Sequence, residues 1–288
     1  TSSVAQSGGD FDLQTFRPAL DSRGYVTVDG AEVLGAGQLS LGLVSTWARA
    51  PLTLAAGDAR YQVDDLVTPT LVAAIGLGAR LELGLSVPFG VVSGDRGPDD
   101  LGDPMSPNDD QRFAIASQGL GDIGVHAKWR ALRVGGASLA VAGSAFLPTA
   151  AERSWLGSGR ASLQARAIVE VRGRRARAAA NIGIRARLGG DAHFRDMMVT
   201  GPATGGEVSL GTAIPIGLAA AWALVPGRFE VIGEAFSLAP THPQGYWPIE
   251  ALGGAVPEST DILVVPVPDR GEDLAHAVVR EDTRLAQA

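Results

Sequence analysis

The sequence predicts an all-β fold, an antiparallel up-and-down transmembrane β-barrel of about 10–12 strands. Three observations support this prediction. Apolar and polar residues alternate with a period of two over long runs, short turns alternate with longer loops, and no apolar run is long enough for a membrane-spanning helix. Because successive side chains of a strand point to opposite faces, the alternation indicates strands with one apolar and one polar face.

The clearest alternation lies at residues 159–188, where two runs meet at Gly173. Each run is about ten residues or longer, which is the length that a tilted strand needs to cross a membrane. One face of the runs is aliphatic and the other is rich in arginine. The aliphatic face consists of Leu163, Ala165, Ala167, Val169, Val171, Ala176, Ala178, Ala180, Ile182, Ile184, Ala186 and Leu188. We predict a hairpin whose aliphatic face contacts lipid and whose arginines face inward.

The other elements divide the chain into three parts. Residues 1–33 are predicted to form a lead-in segment, folded into or under the barrel, and residues 34–255 form the barrel itself. Residues 256–288 break the pattern and are expected to form an atypical tail, with a polar helix or coil near its end. Besides the hairpin, strands are predicted at 34–47, 66–75, 79–89, 119–132, 138–147, 206–224, 228–238 and 249–255.

The connections between these strands fall into two classes. Short turns are predicted at 76–78, 133–136, 173 and 225–227, and longer loops at 50–65, 91–118, 148–158, 189–205 and 240–247. Outer-membrane barrels have short turns at one end and long loops at the other, whereas a sandwich does not require that asymmetry. The longest connection, 91–118, needs a functional reason and is predicted to be an external recognition element.

The composition limits the classes of partner. Lys and Arg number 24 against 31 Asp and Glu, a net charge of −7, which argues against a nucleic-acid partner. The chain has no cysteine, so disulfides and thiol catalysis are excluded. The first ten residues are small and polar, without the features of a signal peptide. A mature exported chain begins in this way, although a cytosolic protein could also do so, and we expect a mature chain in the bacterial outer membrane.

Two stretches resemble a known family. One is FDLQTFRPALD at residues 11–21 with GYVTV at 24–28, and the other is GLGDI at 119–123 followed by Lys128-Trp129. Together they resemble the barrel region of OmpA-type outer-membrane proteins of myxobacteria and predatory bacteria. The second pattern is also similar to one in outer-membrane proteins linked to phenol-degradation gene clusters. The resemblance covers roughly residues 11–250 and implies an outer-membrane barrel without catalytic residues.

Motifs that would support enzyme chemistry are weak. Glycines at 119, 121 and 124 match a dinucleotide-binding pattern, but a strand follows them where a helix is required. The four histidines are scattered, without the spacing of metal ligands. The acidic loop is a weak candidate for Ca²⁺, without the spacing of an EF-hand, through Asp95, Asp99, Asp100 and Asp103. We predict neither an enzyme nor a cofactor.

The charged faces of the strands are the main candidates for function. The predicted lumen-facing residues are Arg80, Glu82, Lys128, Arg130, Arg166, Glu170, Arg175, Arg177, Arg185, Arg187, Glu230 and Glu234. Either they line a water-filled channel and select solutes, or they form a salt-bridged network that fills a narrow barrel. We favour the filled lumen, because a barrel of this size has little free internal space.

The predicted role is a structural envelope protein or a narrow, porin-like conduit. Its partners would be outer-membrane lipid and, in a second hypothesis, further copies of itself around an apolar surface that holds lipid or a partner protein. A third hypothesis is a soluble β carrier in which the arginines are solvated. Candidate anchors at the membrane interface are Trp47, Trp129, Trp155, Tyr246 and Trp247.

Overall fold

A computed structural model describes residues 12–14, 16–56, 59–98, 113–195, 207–225, 229–241, 249–257 and 275–281. These residues form strands, turns and irregular segments, and the predicted all-β, antiparallel up-and-down architecture is confirmed. Among them, no helix has the length and apolar character needed to span a membrane.

The strands are long and follow one another closely. Their bounds are β1 Leu39–Ala56, β2 Ala59–Gly76, β3 Leu81–Pro98, β4 Phe113–Leu120, β5 Ile123–Val134, β6 Ala137–Leu147, β7 Ser162–Arg172, β8 Ala176–Arg187, β9 Ala192–Arg195, β10 Glu207–Leu210, β11 Ala213–Val225, β12 Phe229–Pro240, β13 Ile249–Pro257 and β14 Ala275–Glu281.

Twelve of these strands form one antiparallel sheet. Its order is β13-β12-β11-β8-β7-β6-β5-β3-β2-β1-β14, with β4 also paired to β3. Strands β4 and β5 run end to end along β3, because residues 89–96 of β3 pair with β4 and residues 81–86 pair with β5. The short strands β9 and β10 form a separate two-stranded sheet in the connection between β8 and β11.

The sheet curls into an incomplete barrel around a core on its concave side. Val44 of β1 and Val72 of β2 pack in the same cluster as Leu252 of β13 and Phe236 of β12, although these strands lie at opposite parts of the sheet order. The N-terminal segment contributes Phe16 and Val26 to the same cluster. Within the described residues, the end strands β13 and β14 form no ladder with each other.

The alternation seen in the sequence corresponds to the two faces of the sheet. In β7, Leu163, Val169 and Val171 are exposed on the convex face, while Ile168 and Glu170 are buried on the concave face. Most large apolar side chains outside the core likewise lie exposed on the convex face, where a soluble protein would bury them or replace them.

The exposed apolar band has the height of a membrane. On β1 it runs from Leu39 to Trp47, eight residue steps or about 27 Å along the strand. At a tilt of about 40° this spans about 21 Å across the membrane, close to the roughly 25 Å band of outer-membrane barrels. Strands β1, β2 and β3 have 18 residues each, so they extend well beyond this band.

The structure corrects several sequence predictions about the connections. Residues 50–65, predicted as a loop, belong mainly to the long hairpin of β1 and β2. Strand β3 extends to Pro98 and β4 begins at Phe113, so both ends of the predicted 91–118 loop are strand. The predicted polar tail contributes β14, which pairs with β1. In each case the residues are paired with a neighbouring strand although their sequence resembles loop or tail.

Candidate functional site: an N-terminal segment bound inside the sheet

Residues 12–14 and 16–34, which we call the plug, lie against the concave face without regular secondary structure. The plug is the centre of the core, because its apolar side chains are almost completely buried between the strands. These are Phe16, Ala19, Leu20, Tyr25, Val26, Val28, Ala31, Val33 and Leu34. An irregular segment buried in this way needs hydrogen-bond partners for its backbone from outside itself.

Glu234 of β12 supplies most of these partners for the middle of the plug. Its carboxylate accepts hydrogen bonds from the backbone N–H groups of Val26 (2.5 Å), Thr27 (2.8 Å) and Val28 (3.0 Å). It also accepts one from the Thr27 hydroxyl, at 2.7 Å. An ionised carboxylate can accept about four hydrogen bonds, so this one is fully used by the plug.

Two more glutamates, on other strands, also accept hydrogen bonds from the plug backbone. Glu170 of β7 accepts the N–H of Ala31 at 2.8 Å, and Glu82 of β3 accepts the N–H of Leu34 at 2.8 Å. All three carboxylates are almost fully buried. The plug is therefore held by carboxylates from three separate strands, each bound to its backbone.

Side-chain ion pairs add to these backbone contacts. Lys128 of β5, itself fully buried, lies between Asp21 of the plug, with which it forms an ion pair, and Glu82, whose Oε1 is 3.5 Å from its Nζ. Burial alone would raise the pKa of the Asp21 carboxyl, but the ammonium of Lys128 and the hydrogen bonds that Asp21 makes with Glu82, Lys128 and the Arg23 N–H together lower that pKa to about 2. Asp21 is thus held ionised against the ammonium of Lys128.

The end of the plug is fixed by Glu32. Its carboxylate lies 2.6 Å from Arg130 Nη1 and 3.4 Å from Arg133 Nη1, and it accepts a hydrogen bond from the Ser138 hydroxyl at 2.9 Å. Burial opposes ionisation here too, but the hydroxyl and the two guanidinium groups lower the pKa of Glu32. This cluster fastens the plug to β5 and β6.

Arg177 of β8 binds the tight turn in the middle of the plug. Its guanidinium donates to the carbonyl oxygens of Arg23 (3.1 Å) and Gly24 (2.9 Å) and pairs with Glu230 of β12 at 2.5 Å. It also lies 4.2 Å from the ring centroid of Tyr25, a cation–π contact. Arg177 therefore links the plug to two strands of the wall.

Asp29 is held from two neighbouring strands. Its carboxylate pairs with Arg166 Nη1 of β7 at 2.7 Å. The side-chain amide of Asn181 on β8, oriented to suit both partners, accepts from the Asp29 N–H at 2.8 Å and donates to its carbonyl oxygen at 3.1 Å. Asn181 thus pairs with the plug in the way that a neighbouring strand would.

The structure places the twelve predicted charged residues in two groups. Ten lie on strands and have inward-facing or partly buried side chains. The other two, Arg80 and Arg175, lie in the short turns before β3 and β8 and are exposed, so they are not within the curl of the sheet. Arg187 lies at the opposite end of β8, where it donates to the carbonyl oxygens of Ser158 (2.5 Å) and Gly190 (2.7 Å).

A second hydrophobic cluster closes the end of the sheet where the longer connections lie. Trp155 and Leu156, from the connection between β6 and β7, pack against Val63, Leu66 and other side chains of β2–β4. The sequence prediction placed Trp155 at a membrane interface. The structure corrects this, since Trp155 is completely buried and has no surface to offer a lipid.

Asp122 binds the connection between β6 and β7 and holds it against the sheet. Its carboxylate accepts from the Ser158 N–H and hydroxyl, both at 2.7 Å. The GLGD stretch therefore contains the end of β4 and the residues between β4 and β5. Its aspartate, Asp122, is buried and binds the 148–161 connection. This gives the motif a structural role, different from the cofactor role that its glycines superficially suggest.

The convex face carries aromatic residues near both borders of the apolar band. Trp47, whose indole donates to Asp65 at 2.7 Å, lies toward one border, and Trp129 lies toward the other, near the short turns. Trp222 and Phe229, also exposed near the short turns, have the same placement, although the sequence reasoning did not select them. The position of each aromatic residue near the end of an alternating run is the sequence signal that would have identified them.

Some predicted residues lie outside the described part of the chain, namely Tyr246, Trp247, Asp99, Asp100 and Asp103. Asp95 lies in β3, within the described part. No group of three or more potential metal ligands occurs among the described residues.

Comparisons with known proteins give a limited result. The sequence matches no protein-family model and no curated protein. An outer membrane channel from Pseudomonas putida F1 matches at 16% identity over 87% of this chain and 97% of its own, with a TM-score of 0.48. The Ralstonia pickettii toluene transporter matches at 10% identity over 87% of this chain and 90% of its own, with a TM-score of 0.39. Since both TM-scores are below 0.5, the function of this chain has to be argued from its own residues.

Proposed function

We propose that this protein is a β-barrel of the bacterial outer membrane whose lumen is closed by its own N-terminal plug. It would serve as a structural envelope protein, or as a narrow, porin-like conduit when the plug moves. The observation that supports this most directly is the use of buried wall carboxylates to bind the plug backbone. The proposal also includes a relationship to OmpA-type outer-membrane proteins, which rests on the sequence resemblance described above.

The convex face supports the membrane location and a lipid partner. Leucine, isoleucine and valine side chains such as Leu43, Leu71, Val169 and Ile182 are about half exposed there. A water-soluble protein that exposed so much apolar surface would aggregate, whereas lipid covers such a surface at no cost. Extraction behaviour tests this part, because a protein that stays monomeric without detergent would exclude it.

The conduit role depends on the plug being held by noncovalent contacts. Every contact between the plug and the wall described above is a hydrogen bond, an ion pair or apolar packing, so release requires no covalent change. A closed lumen at rest and rare conducting states are then expected. Planar-bilayer recording of the purified protein tests this expectation, with long closed periods interrupted by small current steps as the predicted result.

A control separates a conduit from a purely structural protein. A variant in which the plug anchor Glu234 is changed to Gln should conduct more than the wild type, whereas Glu152→Gln, at an exposed position of the 148–161 connection, should not. Absence of current in the wild type and in the anchor variant, although both insert into the bilayer, would exclude the conduit and leave the structural role.

A second candidate, self-association, is favoured by one feature of the convex face. Over β7, β8, β11 and β12 several outward positions carry small residues, including Ala178, Ala180, Ala220 and Gly233, beside larger ones such as Leu218. Together they line a shallow depression of about 640 Å³. Small residues let two surfaces approach closely within a membrane. Cross-linking in native membranes tests this: a monomer only, at all protein densities, would rule it out.

A further inference from the structure

A small cavity lies between the plug and the wall, and its lining is rich in arginine. It has a volume of about 60 Å³ and is bordered by Arg17 of the plug, Arg166 of β7 and Arg185 of β8. Asn181 and Ser237 also line it. A cavity of this size can hold a small ion or a few water molecules, since one water needs about 10–15 Å³ by the same measure.

One of the three guanidinium groups at the cavity has no direct ion pair. Arg17 pairs with Asp12, and Arg166 pairs with Asp29 at 2.7 Å. Arg185 has no carboxylate within ion-pair distance among the described residues, although Asp12 and Asp122 interact with it electrostatically from farther away. It donates to the Ser162 hydroxyl at 3.3 Å and lies 4.4 Å from the centroid of the Phe146 ring. Two of the three guanidinium groups are therefore directly paired, and that of Arg185 is not.

Two donors at the cavity are also unused. The Nε atoms of Arg17 and Arg166 are buried and have no hydrogen-bond partner within the described part of the chain, and the same holds for the Ser237 hydroxyl. Buried polar groups of this kind are rarely left without partners, because each costs roughly 1–3 kcal/mol when unsatisfied. Arg185, which has no direct ion pair, and the two arginines with unused N–H donors border the same cavity, and one acceptor of negative charge would supply a partner to them.

We propose that this cavity is a binding site for a small carboxylate. A guanidinium presents planar, forked N–H donors that match a carboxylate better than a spherical ion, and here three guanidinium groups border one cavity. The carboxylate is either a free small anion or the acidic group of a solute within the lumen. The site does not depend on the conduit role, because it is present with the plug in place.

Thermal unfolding in detergent tests the proposal with sodium acetate as the probe. Ionic strength is held constant with the sodium salt of a sulfonate too bulky for the cavity. Because a ligand that binds only the folded state stabilises it, the wild-type midpoint should rise with acetate by about 2–4 °C. Chloride and phosphate, titrated separately, should raise it less. No rise with acetate, or a larger rise with chloride or phosphate, would overturn the proposal.

Variants locate the site. Arg185→Gln should abolish the acetate response, and Arg185→Lys, which keeps the charge but loses the fork, should weaken it. Arg187→Gln is the matched control: it lies on the same face of the same strand, but binds carbonyl oxygens away from the cavity, and should respond as the wild type does. An undiminished response in Arg185→Gln would refute the site. If that variant does not fold, the comparison of Arg185→Lys with Arg187→Gln decides.

A bilayer measurement distinguishes the two sources of the carboxylate. If solutes deliver it, acetate should reduce the current through the Glu234→Gln variant, and Arg185→Lys in the same background should relieve the block at least in part. If a free anion simply fills the site, acetate should raise the unfolding midpoint and leave that current unchanged. Both current outcomes agree with the proposal, provided that the rise of the thermal unfolding midpoint with acetate depends on Arg185.

Discussion

Replacing Glu234 by Gln should release the middle of the plug. The wild-type carboxylate accepts four hydrogen bonds, from the N–H groups of Val26, Thr27 and Val28 and from the Thr27 hydroxyl. The glutamine amide keeps one oxygen, while its NH₂ group would face backbone donors that it cannot bind. At most about half of the hydrogen bonds survive, and none of them is to a charged acceptor.

The size of the effect follows from these contacts. A hydrogen bond to a charged group contributes roughly 1.5–3 kcal/mol, and contributions within one cluster do not add fully. A loss of about 3 kcal/mol is therefore expected, concentrated on the closed state of the plug. Since each 1.4 kcal/mol is a factor of ten, the open fraction should rise about a hundredfold, provided that the wild type is mostly closed.

Single-channel recording in planar bilayers measures this fraction directly. Glu152→Gln makes the same chemical change at an exposed position and should behave as the wild type does. An equal open fraction in Glu234→Gln and the wild type, with an unchanged midpoint of thermal unfolding, would refute the view that wall carboxylates hold the plug.

Further predictions test the plug, the core and the convex face. Because the Asp21 pKa is lowered to about 2, from about 3.9 in an unfolded chain, its pairing with Lys128 stabilises the plug fully above about pH 4 and is lost as the pH falls toward 2. Current that increases only below pH 4 would agree, and increases already at pH 6 would not. Trp155→Ala should lower the free energy of unfolding by about 3–5 kcal/mol, measured by denaturant titration; a loss below 1 kcal/mol would contradict a packed core. Ile182→Arg, on the convex face, should cost about 2–4 kcal/mol in lipid vesicles, and an unchanged stability would argue against lipid contact. Brominated lipid should quench Trp222 in a protein whose other tryptophans are changed to Phe, whereas a buried-face location would leave it unquenched.

The wall of the structure was largely predictable from the sequence, because its signal is local. Alternation in strands such as β7 and β8 arises where one face contacts the exterior and the other contacts the plug, and a period of two records that environment residue by residue. The same reasoning failed at residues 50–65. There the strands extend past the apolar band, and the register of β1 with β2 shifts between Arg49 and Leu52. The shift interrupts the alternation, although the backbone pairing continues on both sides of it.

The plug could be predicted only in outline. Its backbone is irregular and has no period, and its partners are far away in the chain: Glu234 is more than 200 residues from Val26. The acidic residues Asp21, Asp29 and Glu32 are opposite in sign to the basic residues of the strands, which hints at a docked segment. No local pattern specifies which acidic residue of the plug pairs with which basic residue of the strands. The burial of Trp155 could not be predicted for the same reason, because it packs against side chains that are distant in the sequence.

The order of the anchors along the plug constrains how it could open. Glu234 on β12 binds residues 26–28, Glu170 on β7 binds Ala31, and Glu82 on β3 binds Leu34. These strands are well separated in the sheet order, so the plug crosses the concave face from one side to the other. Because each anchor is a separate carboxylate on a separate strand, loss of one leaves the others in place. Opening is therefore expected to be stepwise, with the segment around Val26 able to leave β12 while the end of the plug stays bound to β3.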